Sequence, residues 1–93
     1  MKGLFVLTEE SQSIEETEFY SGEELVVLVV MDKNTLATNF EDALQGVEKR
    51  AQEVQARMRK KNVACRVLVE WGDKIEAVSN ALQREQAQLL NKI

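Results

Sequence analysis

The chain has 93 residues, 12 basic and 16 acidic, giving a formal charge of −4, and 44% of it is hydrophobic. Such a length makes one domain with a small core, burying roughly 60–65% of the surface its unfolded form exposes. The negative balance argues against general nucleic-acid binding, which depends on neutralising phosphates, and the lack of any histidine removes the commonest zinc ligand and the usual acid–base group at neutral pH.

Met1 to Leu7 carries one charge and an apolar run of four residues, too short for a signal peptide. Leu4-Phe5-Val6-Leu7-Thr8 reads as a short buried strand. Residues 9–24 then hold seven glutamates in 16 positions. Ile14, Glu18 and Phe19 stand at helical spacing and allow a short helix from Ile14 to Tyr20, while so acidic a composition suits a mobile loop equally well.

Leu25 to Met31 is an unbroken apolar run of seven, rich in β-branched residues. It is too short for a membrane helix, which needs about 20 residues. Without alternation it must be buried on both faces, as a central strand of a parallel sheet is.

A long amphipathic helix follows. Thr38 and Glu41 have capping-box spacing, Asn39 competes as the cap, and Asp42 falls in the first turn. Phe40, Leu44, Val47, Ala51, Val54 and Met58 repeat at steps of four and three and so form one stripe. Arg57, Arg59, Lys60 and Lys61 close the helix, where positive charge complements its carbonyl end. That basic cluster is read as a helix terminus, not a phosphate site.

The next strand spans Val63 to Glu70, with Val63, Cys65, Val67 and Val69 on one face. Ala64, Arg66 and Leu68 make the other face partly polar, as expected at a sheet edge. Gly72 permits a turn, and Asp73 caps a final helix with Glu76 three residues on. Ile75, Val78, Ala81 and Leu82 form that helix's predicted apolar stripe. The tail, Ala87 to Ile93, is rich in good helix formers and is expected to continue the helix instead of starting a fourth strand.

Strand, helix, strand is a βαβ unit with a right-handed crossover. The expected fold is therefore a single small α/β domain over residues 1–93, in two or three layers. Its parallel sheet has three strands in the order 3-2-1, four if the tail is a strand, flanked by two or three helices. Residues 1–48 hold 11 acids and 2 bases, and residues 49–93 hold 5 acids and 10 bases. Packing the halves together turns these into a mixed surface, and the same asymmetry offers two copies a self-complementary field.

Candidate chemistry is sparse. Ligands of open α/β sheets favour the carboxyl ends of the strands, and here that rim contains Thr8, Glu9, Glu10, Ser11, Met31, Asp32, Lys33, Asn34, Trp71 and Gly72. Its acids suit a divalent cation in type, but Asp32-Lys33-Asn34 is not followed by the glycine of a calcium loop, so no metal or other cofactor is expected. Trp71 either covers its own core or anchors a ligand or partner. Cys65, mid-strand and the sole cysteine, reads as a buried hydrophobe with no disulfide to form, which fits a reducing cytoplasm. No serine or cysteine has a histidine to activate it, and Lys33 and Lys74 lack a desolvating pocket. The chain is not expected to be an enzyme.

Several of these stretches resemble the universal stress protein family. Leu7-Thr8-Glu9-Glu10-Ser11 matches the turn after that family's first strand, with Glu9 where the family has an aspartate. Gly22-Glu23-Glu24-Leu25 matches the lead into its second strand, before Val26 to Met31 and Asp32. Gly72-Asp73, with Ile75 and Val78 after it, matches the step into a later helix. The likeness covers about residues 3–90 and implies a Rossmann-like domain. The ATP-binding branch of the family carries a Gly-x-x-Gly loop and a further Gly-Ser or Gly-Thr after its fourth strand, whose backbone N–H groups wrap phosphate. Gly72 is the last glycine here, so ATP binding is not implied.

Two functions are consistent with this reading. One is a non-catalytic interaction or regulatory module acting in a stress response, expected to be a homodimer or to bind another protein, with no nucleic acid and no membrane. An open edge on the first strand motivates it, since exposed edges must be paired or covered, by a second copy or by the Leu89-Leu90 tail. The other is a small-molecule or nucleotide binder using Thr8 to Ser11, Asp32 and Trp71-Gly72.

Overall fold

A segment without a polar position belongs in the middle of a sheet, and β2 (Glu24–Met31) lies there, with Leu25 to Met31 no more than 1% exposed. The computed structural model describes residues 2–8, 14, 17, 20–31 and 40–90. Beside β2 lie β1 (Lys2–Leu7) and β3 (Ala64–Trp71), and a short β4 (Gln88–Leu89) flanks β1. All pairings are parallel and the order is β3-β2-β1-β4. Two helices, α1 (Phe40–Lys60) and α2 (Lys74–Glu85), complete the described elements.

Strand periodicity divides the core in two. Phe5, Leu7, Leu25, Val27, Val29 and Met31 face α1 and meet its Val47, Ala51, Val54 and Met58. Leu4, Val6, Val26, Leu28 and Val30 face α2 and meet Ala77, Val78 and Ala81. The domain is thus the three-layer alternative. The α1 stripe is as predicted for Leu44, Val47, Ala51, Val54 and Met58; the Phe40 side chain and the Thr38, Asn39 and Glu41 capping residues lie outside what is described. Asn62 ends α1 in the left-handed region (φ 60), and Val63 N–H donates to Met58 O at 2.9 Å. Asparagine tolerates that conformation better than most residues, which makes it a natural helix stop.

Two expectations change, and the sheet takes its four-stranded alternative. The tail is not helical. Gln86 adopts a left-handed conformation (φ 52, ψ 43) that stops α2, after which Gln88 and Leu89 pair with Gly3 and Leu4, and Leu90 N–H donates to Leu4 O at 2.8 Å. The unsatisfied edge of β1 outweighs the helix propensity of Gln, Ala and Leu. The order gains a fourth strand accordingly. Ile75 is not in the apolar stripe of α2 and is 74% exposed. The buried stripe centres on Ala81, and Ile75, six residues before it, lies about 120° round the helix from it, outside the stripe.

The short helix allowed between Ile14 and Tyr20 falls mostly outside the described residues. Among those described, Thr17 N–H donates to Ile14 O at 3.1 Å and Tyr20 N–H to Thr17 O at 3.2 Å. No helix among the described residues is long and apolar enough to cross a membrane.

Candidate functional site

Parallel pairing brings the carboxyl ends of β1, β2 and β3 to one rim, but Thr8 and Trp71-Gly72, described there, stand apart. The chain steps from β1 to β2 to β3 and then returns to β4 beside β1, so the strand order reverses between β1 and β4. Ligands of such sheets bind at that reversal. Thr8 stands next to it and is 6% exposed. Trp71 and Gly72 end β3 at the opposite edge, two strands and roughly 10 Å away. Glu9, Ser11 and Asp32 lie outside the described residues, as do Glu10, Lys33 and Asn34.

At the β3 end, Gly72 N–H donates to Met31 O at 3.0 Å and Gly72 has φ 129, a conformation that L side chains rarely adopt. Asp73 follows in extended conformation and its Oδ1 accepts from Glu76 N–H at 3.0 Å, the predicted cap. Trp71 is half-exposed, and Glu70, Trp71, Gly72, Asp73, Glu76 and Asn80 line a depression of about 190 Å³. Its carboxylates make it a poor receptor for phosphate. Among the described residues no group of three or more Cys, Asp and Glu is placed to hold a metal ion.

Two polar arrangements escaped the sequence. At the opposite rim Lys2 of β1 and Arg66 of β3 converge on Glu85 at the end of α2, and both also pair with Glu24 of β2. Lys2 Nζ is 2.8 Å from Glu85 Oε1, Arg66 Nε is 2.9 Å from Glu24 Oε1, and Arg66 Nη2 donates to Glu85 Oε1. The hydrogen bonds from Lys2 and Arg66 hold the Glu85 carboxyl down at about 2. Arg84 reaches Glu70 Oε1 at 3.2 Å on the same side. The signal available beforehand was Arg66 itself, a charge on an otherwise apolar strand face.

The second arrangement joins the basic end of α1 to the acidic segment. Arg57 Nη1 donates to Ile14 O at 3.0 Å and Thr17 Oγ1 at 3.1 Å, and Lys61 Nζ lies 3.3 Å from Tyr20 O. The cluster therefore terminates a helix, as predicted, and also caps the carbonyls of a neighbouring turn. Tyr20 packs beneath it, its hydroxyl donating to Glu24 O at 2.5 Å. Burial pushes that phenol above its ordinary pKa. Burial likewise pushes the Cys65 thiol up, which suits a packing residue better than a nucleophile.

These features define a small Rossmann-like α/β domain in which Lys2, Glu24, Arg57, Arg66, Arg84 and Glu85 join its elements. Set against known proteins, the chain matches no family model, no curated protein and no solved structure.

Proposed function

We propose that the chain is a non-catalytic interaction or regulatory module of universal stress protein type, working as a homodimer and binding no ATP. One observation carries the most weight. The helix after β3 has its N-terminus occupied by its own Asp73 carboxylate, bonded to Glu76 N–H. A phosphate bound at the β3 end would need that positive end of the helix dipole, and Asp73 both fills it and repels an anion. The motifs at Gly22 to Leu25 and Gly72-Asp73 support the family reading.

A second reading, a small-molecule or nucleotide binder, draws on the depression beside Trp71 and Gly72. Thermal unfolding with millimolar ATP, AMP and cyclic nucleotides separates the two, because a ligand that binds only the folded state raises its stability by mass action. The interaction module shows no shift with any of them. A saturable rise of several degrees with one nucleotide overturns it.

A further inference from the structure

Resting on the dimeric reading above, we infer that the second copy docks on β3, antiparallel, about a two-fold axis through Leu68. β3 ends the sheet, and among the described residues no strand lies on its outer side. In a parallel ladder, successive residues point their N–H and C=O to opposite neighbours. Ala64 N–H donates to Glu23 O and Gly72 N–H to Met31 O, so the even-numbered residues of β3 bond inward to β2. The odd-numbered ones, Cys65, Val67 and Val69 among them, therefore face outward. Gln55 Nε2, reaching Cys65 O from outside at 3.5 Å, agrees with that direction.

Antiparallel pairing with a second copy must match outward residues with outward residues, which permits two-fold axes only through single residues of the strand. Charge then selects among them. Arg66 and Glu70 lie on one face, opposite Val26 and Val30 of β2, and each is two residues from Leu68. An axis through Leu68 sets Arg66 of each copy against Glu70 of the other. An axis through Val67 or Val69 leaves both charges opposite apolar residues or glycine, and one through Arg66 or Glu70 sets like charges together. Edges protected from pairing usually carry charges of one sign, so that self-pairing repels. This edge carries opposite signs placed symmetrically, so self-pairing attracts.

The groups needed are at hand. Arg66 uses Nε and Nη2 within its own copy, and Glu70 uses Oε1; Arg66 Nη1 and Glu70 Oε2 enter no bond among the described residues. On the other face the same axis pairs Val67 with Val69 of the second copy. Val69 is 44% exposed, and both valines line a groove of about 280 Å³ against Glu48, Gln52 and Gln55 of α1. Docking covers that groove and joins two four-stranded sheets into one.

The test is sedimentation velocity at high micromolar concentration on wild type, Arg66→Glu, Glu70→Arg, their equimolar mixture and Val69→Pro, with circular dichroism confirming that each is folded. Each charge variant alone sets like charges opposite at both symmetric contacts and should weaken dimerisation about tenfold or more. Mixing the two restores opposite charges at both contacts and should restore the dimer. Val69→Pro removes an N–H that only the second copy uses and should give a folded monomer. A wild type that stays monomeric overturns both this surface and the dimeric function. A wild-type dimer that survives Val69→Pro, or charge variants that dimerise as wild type or fail to recover on mixing, overturns the surface and leaves the dimeric function standing.

Discussion

Gly3 lies so close under Tyr20 that a Cβ on Gly3 would stand 2.7 Å from Cε2 of the ring. The ring has little room to retreat, being 5% exposed with its hydroxyl bonded to Glu24 O. Gly3→Ala should therefore destabilise the fold by about 1–3 kcal/mol through overpacking, read from urea midpoints. In a Tyr20→Leu background the same substitution should cost much less. Additive losses from the two changes would show that the contact is not the cause.

Glu85 links stability to acid. Its carboxyl is held at about 2 in the fold against an ordinary 4.5. A lowered folded pKa contributes stability that is present above the unfolded value and lost as pH falls through the folded one. Glu85→Gln should thus be less stable than wild type at pH 7, and the gap should close between pH 4.5 and pH 2. Denaturant midpoints across that window measure it; a gap that stays constant with pH would assign the loss to packing instead.

Arg57 ties α1 to the turn before β2. Its bonds to Ile14 O and Thr17 Oγ1 are partly buried, so Arg57→Met should cost about 1.5–3 kcal/mol, the range for hydrogen bonds to a charged group. Amide exchange localises the effect. Thr17 and Tyr20 N–H should exchange faster in the variant, while the β2 amides change only as far as global stability changes.

The β3–α2 joint separates backbone strain from capping. Gly72→Ala has open space around the new methyl but keeps φ at 129, so its penalty, about 1–3 kcal/mol, is conformational. Asp73→Ala loses the bond to Glu76 N–H and should cost about 1 kcal/mol, with Asp73→Asn recovering most of it. Thermal unfolding of the three variants checks both. An Asp73→Asn as unstable as Asp73→Ala would show that charge, not the hydrogen bond, is what matters there.

Patterns that repeat within one element were legible along the chain: the two-sided burial of Leu25 to Met31, the stripe from Leu44 to Met58, the edge character of β3, and the Gly72-Asp73 joint. Each depends on a local period or a conformational preference carried by a few neighbouring residues. The rim was less legible. Thr8 and Trp71-Gly72 do share the carboxyl end of the sheet, but no local signal told that β4 returns beside β1 and puts the strand reversal on the Thr8 side.

By itself, then, the sequence determined the α/β class, the central strand and the turn at Gly72, because hydrophobic periodicity and glycine positions are properties of short segments. Only the tertiary structure decided that Gln88 and Leu89 form a strand, that Ile75 is exposed, and that Lys2, Glu24, Arg66 and Glu85 meet. Those outcomes turn on which backbone edge lacks partners and which side chains distant in sequence arrive together. Neither quantity exists until the sheet has assembled.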